Sequence, residues 1–415
     1  MIKCKSAKSR RSVRRAYVKG KKGWAEVKKE DTIMKKFNKV ISAVTAAAMI
    51  AGSMSMMASA EDTFKIGAIG PMTGAASVYG MAVMNAAQMA VDEINEAGGV
   101  NGVQLEFNPQ DDEHDAEKSV NAYNTLKDWG MQMLLGTVTS APCIAVSAEA
   151  ANDNMFLLTP SGSAVDCITA GDNLFRVCFS DPDQGAASAK YIGENKLAEK
   201  VAVIYDSSDV YSSGIFATFK AEAENQPFEI VAESAFTADS KTDFSAQIQA
   251  AKDADADLVF MPFYYNEASI VFTQAASMDF APLWFGVDGM DGILSVEGFD
   301  TSLAEGVMLL TPFSADAEDD LTKNFVTTYK EKFGEVPNQF AADAYDGIYI
   351  MKAAMEQAGV TPDMDASAIS DAMKAAMTEI TVDGLTGAGM TWNAEGEPTK
   401  APKAVVIENG AYKGM

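Results

Sequence analysis

The feature that most constrains this chain is a long alternation of strand-length apolar runs with helical patterns. Phe64–Gly70 (FKIGAIG) reads as a strand, and residues 79–97 as a helix stopped by Gly98-Gly99. Residues 103–108 and 131–136 read as strands on either side of a helix around 116–128. Residues 155–159, Lys200–Asp206, Glu229–Phe236, 258–263 and Leu283–Gly286 continue the series, with helices between most of them. Strands rich in Val, Ile, Leu and Phe that alternate with helices imply parallel sheets covered on both faces. Late helices are expected at 321–333 and 340–357, then a Gly-rich passage at 384–389 and a last strand at 404–407. The expected fold class is α/β. So long a series exceeds what one open sheet holds, which predicts two doubly wound lobes. Ser180-Asp-Pro-Asp-Gln-Gly185 and the stretch near Thr311-Pro312 are the candidate boundaries.

A different kind of sequence precedes this series. Residues 1–33 are basic without an apolar face and read as an extension outside the fold. From Met34 a short positive segment leads into an apolar, Ala-rich run and then Ala58-Ser59-Ala60, the pattern of a signal peptide cleaved after Ala60. The run is too short to span a membrane and is broken by Gly52-Ser53. Fifteen of the 33 Lys+Arg, but only Glu26, Glu30 and Asp31 of the 58 acids, lie in residues 1–60, which leaves the body 18 basic and 55 acidic residues. A body this acidic repels nucleic acid and anionic lipid, so neither is expected as a partner. The single histidine, His114, removes most general-base and zinc chemistry.

Several motifs bear on a site. Gly67-Ala-Ile-Gly70-Pro-Met-Thr-Gly74 has the wrong spacing for a dinucleotide loop, and Pro71 lacks the N–H that a phosphate needs. It reads instead as a wide loop at the carboxyl end of the first strand, where open α/β sheets take ligands. Asp111-Asp112-Glu113-His114-Asp115 cannot turn consecutive side chains onto one ion and is expected as a solvated strand end; no metal or cofactor is expected. Thr139-Ser140-Ala141-Pro142 opens a helix with Ser140 as the expected N-cap, and the free amides there make a carboxylate site. Thr159-Pro160-Ser161-Gly162-Ser163 ends the next strand in a similar way. In a doubly wound sheet the two turns converge on one crevice; the alternative is two ordinary capped turns. After export three cysteines remain. Cys167 and Cys178 bracket a short polar loop and are expected to pair as a disulfide, with Cys143 a small buried residue.

Taken together, FKIGAIGPMTG, Tyr79-Gly80, the helix ending VDEINEAGGVNG, the DDEHD run and TPSGS resemble the type I periplasmic substrate-binding proteins of ABC transporters, in their leucine/isoleucine/valine-binding branch. DPDQG (181–185), FGVDG (285–289) and QFAADAYDG (339–347) fall in the family's order, and the resemblance covers about residues 63–412. It implies two lobes joined by a multi-strand hinge in Venus-flytrap fashion: residues 61–181 plus 313–385, and 182–312 plus 386–415. It also implies a monomeric periplasmic receptor that takes an amino acid, branched-chain or otherwise aliphatic, and hands it to an ABC permease. Carried over residue by residue, Ser140 and the amides beside it hold the ligand carboxylate. Ser161, through its main chain, and Ser163 hold the ammonium. Asp288 supplies the facing acid from the other lobe, one methylene shorter than the Glu usual in the branch. Tyr79, Tyr211, Tyr264 and Phe340 form the aromatic wall. The disulfide of the branch is not kept, since His114 and Thr139 occupy its positions.

The same set makes physical sense without the family. A zwitterion needs an acid for its ammonium and N–H donors for its carboxylate, both out of water, and its side chain needs an apolar pocket. A receptor for an amide, urea or another small polar metabolite would not need both Asp288 and the Ser140 helix. A secreted hydrolase would need a nucleophile motif or a spaced carboxylate pair that this chain lacks.

Overall fold

The computed structural model describes residues 62–415, so the leader read at 1–60 lies outside the described residues. The first sheet contains β1 (Phe64–Gly70), β2 (Leu105–Asp111), β3 (Met133–Gly136), β4 (Leu157–Thr159) and β5 (Leu174–Arg176). All its pairings are parallel, in the order β2-β1-β3-β4-β5. Helices α1 (Ser77–Glu96), α2 (Ala116–Trp129) and α3 (Ser140–Asp153) connect its first four strands. The chain then crosses over into α4 (Asp181–Glu194), β6 (Lys200–Asp206), α5 (Val210–Ala223), β7 (Glu229–Phe236) and α6 (Ser245–Asp253). It continues through β8 (Leu258–Met261), α7 (Tyr265–Ser277), β9 (Leu283–Gly286) and β10 (Met308–Thr311). Helices α8 (Asp320–Phe333), α9 (Gln339–Ala358) and α10 (Ala366–Met377) follow; α9 packs against α1, β3 and β4, and α10 against β3.

The last strands, β11 (Lys403–Glu408) and β12 (Ala411–Gly414), join the second sheet antiparallel, giving β12-β11-β10-β9-β8-β6-β7. Its parallel part, β7-β6-β8-β9-β10, repeats the order of the first sheet. Each sheet therefore has its topological switch beside its first strand, β1 next to β3 and β6 next to β8. A crevice opens at such a switch, beyond the carboxyl ends of the strands. The doubly wound α/β class read from the sequence stands.

Burial explains why the strands are apolar throughout. In β3, Met133 and Leu135 face one core cluster and Leu134 faces another, and all three are fully buried. Each such side chain contributes about 1.5–3 kcal/mol on leaving water. Helix ends follow local chemistry. The Asp115 carboxylate accepts from the Lys118 amide at the start of α2, and Gly130 ends that helix at φ +91°. The Asn338 side chain accepts from the Ala341 amide at the start of α9.

Besides shifts of two or three residues at the ends of β2, β4 and β8, three placements differ from the sequence reading. α10 is absent from the sequence reading, although Ile369, Met373, Ala376 and Met377 recur at helical spacing and are buried. The strand expected from residue 131 begins at Met133, because Met131 closes the α2 terminus by donating its amide to the Leu126 carbonyl at 3.0 Å. Residues 386–402, expected in the second lobe, lie partly along the first sheet: the Arg176 amide donates to the Gly396 carbonyl at 3.1 Å, and Trp392 Nε1 to the Arg176 carbonyl at 2.8 Å.

Candidate functional site

The loops at the carboxyl ends of the two sheets meet around a small chamber. Tyr79, Ser140, Ser161, Ser163, Tyr211, Tyr264, Asp288 and Phe340 all line it, together with Val138, Thr139 and Gly289. Residues picked from distant parts of the sequence are thus gathered into one place by the two switch points.

One wall is built from helix and turn amides. Thr139, not the expected Ser140, occupies the cap position of α3, so the helix starts one residue earlier, at Ser140. The Cys143 amide donates to the Thr139 carbonyl, so the amides of the first turn before it are left without helical partners, as at any helix start. The Ser140 hydroxyl accepts from the Ala164 amide at 3.2 Å, which ties this helix start to the Ser161–Ser163 turn. Ser161 Oγ donates to the Val138 carbonyl at 2.7 Å. Behind the turn, the fully buried Arg176 guanidinium donates to the carbonyls of Gly162, Ser163, Ala164 and Val165 and pairs through Nε with Glu397 at 3.2 Å. Arg176 is a positioning cation, not a chamber residue.

The opposite wall is acidic. Asp288 is 5% exposed; its Oδ1 accepts from Tyr211 Oη at 2.5 Å and from the Gly289 amide at 2.8 Å. Desolvation pushes its carboxyl up to about 6, against the lowering effect of the Tyr211 and Gly289 bonds. A second acid was missed. Asp181 is 2% exposed, and neither of its carboxylate oxygens has a partner. Its amide donates to the Ser163 carbonyl at 2.9 Å, and the Ser163 hydroxyl is likewise unpartnered. Gln184, one turn further along α4, accepts from the Asp288 amide at 3.3 Å and leaves its buried Nε2 without a partner. Burial raises the Asp181 carboxyl well above its usual range, with the Asp288 charge adding to the rise and Ser163 and Arg176 opposing it. In the sequence Asp181 sits before Pro182 in a turn-rich break, and nothing local distinguishes it from a capping acid.

Aromatic rings close the chamber across the lobes. Tyr211 and Tyr264 stack at 4.9 Å and 3°, while Tyr79 lies 5.8 Å from Tyr264 and 4.2 Å from Phe340. Tyr79 Oη donates to the Gly289 carbonyl, and Gln339 Nε2 donates to the Asp288 carbonyl at 2.8 Å. These contacts join β1- and α9-side groups to the loop after β9, so the cleft is shut. At its rim the DDEHD run builds a turn rather than a free strand end: Asp111 accepts from the Met72, Thr73 and Glu113 amides. His114 Nδ1 and Thr139 Oγ1 are 2.8 Å apart, so a hydrogen bond stands at the positions where the resemblance put the missing disulfide.

The expected Cys167–Cys178 disulfide is not formed; Cys143, Cys167 and Cys178 are all free and buried. The intervening β5 is extended and carries Cys178 away, to the neighbourhood of Arg176, Asp343 and Lys400. Cys167 instead turns back under α3, its Sγ 3.7 Å from the Ser140 carbonyl.

Residues 63–411 match the periplasmic binding protein family. A leucine-, isoleucine-, valine-, threonine- and alanine-binding protein of Pseudomonas aeruginosa is 29% identical over 343 residues, 82% of this chain and 90% of its own. A Leu/Ile/Val-binding protein of Rhizobium johnstonii is 30% identical over 332 residues, 80% of this chain and 88% of its own. The branched-chain amino acid transporter substrate binding protein of Streptococcus pneumoniae, solved in complex with isoleucine, is similar with a TM-score of 0.77 at 30% identity, covering 85% of this chain and 98% of that one. With the match running through both sheets and the loops that shut the chamber, this chain belongs to the periplasmic binding protein family.

Proposed function

We propose that this chain is the extracytoplasmic solute-binding component of an ABC importer, and that it binds an amino acid, branched-chain or otherwise aliphatic, between its two lobes. The observation that carries this reading is the division of polar groups across one closed chamber. Helix-start amides and Ser140 stand on one side and the carboxylate of Asp288 on the other, with the buried, unpartnered carboxylate of Asp181 behind the lining, against Ser163. That division matches a zwitterion end to end, each charge meeting groups already out of water. The ligand carboxylate docks on Ser140 and the first-turn amides. The ammonium meets Asp288, the Ser161 main chain and the Ser163 hydroxyl, with Asp181 behind it. Tyr79, Tyr211, Tyr264 and Phe340 surround the side chain. The relatives named for leucine, isoleucine and valine support the aliphatic class.

The receptor works as a non-catalytic monomer, exported by the segment that ends at Ala60, and delivers its ligand to permease subunits in the membrane. Its lobes divide near residues 181 and 312 and again between Lys400, which still contacts the first lobe, and β11, which begins at Lys403. Small molecules released on denaturing the purified protein, identified by mass spectrometry, test the assignment. A thermal-shift panel over amino acids, amides and sugars completes it. An aliphatic amino acid at about 100 times its dissociation constant stabilises by about 2.7 kcal/mol. A panel in which amides or sugars raise the melting temperature and no amino acid does would refute the proposal.

A further inference from the structure

Two of the three thiols among the described residues lie together in a place that matters to the chamber. Cys143 sits in the first turn of α3 and Cys167 in the turn Val165–Cys167, and both are fully buried. Cys143 Sγ lies 4.0 Å from the Cys167 carbonyl oxygen and 3.8 Å from Ser147 Oγ. Ser147 Oγ itself donates to that carbonyl at 2.5 Å, and Cys167 Sγ lies 3.7 Å from the Ser140 carbonyl. A Cβ built on Gly162 would stand 2.8 Å from Cys143 Sγ, so the Ser161–Ser163 turn is folded directly over this thiol. Hydrogen bonds also join these walls, such as that from the Ala164 amide to the Ser140 hydroxyl.

We propose that Cys143 and Cys167 are a disulfide pair that closes as the chain folds in an oxidising compartment, stapling the carboxylate-binding helix start to the turn that holds the ammonium. The thiolate of Cys143 attacks a disulfide of the oxidant, a low-molecular-weight disulfide or an oxidoreductase, and releases one thiolate. Cys167 then loses its proton and attacks the Cys143 sulfur, expelling the second. Two cysteine thiols lose two electrons and two protons, and the oxidant's disulfide becomes two thiols. Hydrogen bonding to Cys167, then to Ser147, Thr159 and the Thr137 amide, lowers the Cys143 thiol to about 7, against the raising effect of burial. Burial with the neighbouring Cys143 raises the Cys167 thiol well above its usual range. Because the folded chain shields both sulfurs, the exchange belongs to folding, before the Gly162 turn shuts.

The placement in an oxidising compartment rests on the exported receptor proposed above, but the pairing is a property of the folded chain, and the experiment separates the two. The protein is unfolded, refolded in mixed reduced and oxidised glutathione, alkylated under denaturing conditions and mapped without reduction. One cross-link between the Cys143 and Cys167 peptides, with Cys178 alkylated, is expected. Three alkylated cysteines, or a link through Cys178, would overturn the pairing. The linked form should melt several degrees above the reduced form. A Cys178→Ser variant should keep that difference, and a Cys143→Ser/Cys167→Ser variant should lose it while still folding. The same mapping on protein recovered from outside the cytoplasm reads the compartment. Protein found only inside the cytoplasm, with the link formed in vitro, would reject the export reading and leave the pairing intact, whereas free thiols in protein recovered outside would overturn the pairing.

Discussion

Asp288 lines the chamber and Asp181 is buried behind it, and the two acids should respond differently to substitution. Asp288 already has two donors on one oxygen, so its loss leaves Tyr211 and the Gly289 amide to rearrange. Asp288→Asn keeps the shape and removes the charge opposite the ammonium. Affinity should fall about 30- to several-thousand-fold, corresponding to about 2–5 kcal/mol for a desolvated pair, with the unliganded melting temperature nearly unchanged. Equal calorimetric affinities for the two proteins would take Asp288 out of the site. Asp181 has no donor on either oxygen, so its ionised form is the most exposed to desolvation. Asp181→Asn should therefore raise the melting temperature of the unliganded protein while weakening the ligand, a trade expected of a strained binding residue. A variant that melts lower and binds normally would make Asp181 a structural acid instead.

At the scale of elements, close approach decides where Tyr79 stands. A Cβ on Gly80 would lie 2.0 Å from the Pro71 carbonyl oxygen, so α1 can press its first turn against the loop after β1 only with glycine there. That contact sets Tyr79 beside Tyr264, Phe340 and the Gly289 carbonyl. Gly80→Ala should force the helix start outward, costing about 1–3 kcal/mol in stability and weakening ligand binding through Tyr79. Thermal melts and titration of this variant test both halves; a protein that melts and binds as before would show that the loop yields freely.

For the whole molecule, the buried acids couple stability and binding to pH in opposite directions. Burial raises the carboxyls of Asp209, Asp288, Asp291 and Asp343 to about 6 and that of Asp112 to about 7. Between the ordinary carboxylate range near 4 and these values, the folded chain holds protons that the unfolded chain has released. Deprotonation then favours unfolding, so the unliganded protein should lose stability as pH rises from about 4 to 7. Asp111, Asp153 and Asp319, whose carboxyls are lowered by their hydrogen-bond and charge partners, act in a lower window and give stability that is lost only as pH falls below about 4. Ligand affinity should run the other way, strengthening as pH rises through 6 and Asp288 ionises to meet the ammonium. Melts and titrations from pH 5 to 7.5 check both slopes, and parallel slopes would break the link between the acid and the ligand.

The alternation of apolar strands with helices was enough to determine two doubly wound sheets, because a strand buried on both faces leaves no other economical cover. The turns after β3 and β4 were legible for a local reason: Ser, Pro and Gly at helix starts have a fixed chemistry that needs no distant partner. Tyr211, Tyr264, Asp288 and Phe340 were assigned only through resemblance, since their meeting with Tyr79 depends on two sheets facing each other across a shut cleft. What the tertiary structure alone decided lies where burial and neighbours make the property. Asp181 became an unpartnered buried acid because α4 packs it away from water, and Arg176 became a clamp because four carbonyls turn back onto it. The cysteine expectation failed for the same reason. Closeness along the chain suggested Cys167 with Cys178, but an extended strand moves neighbours apart, and a helix start 24 residues earlier in the chain, at Cys143, lies against Cys167.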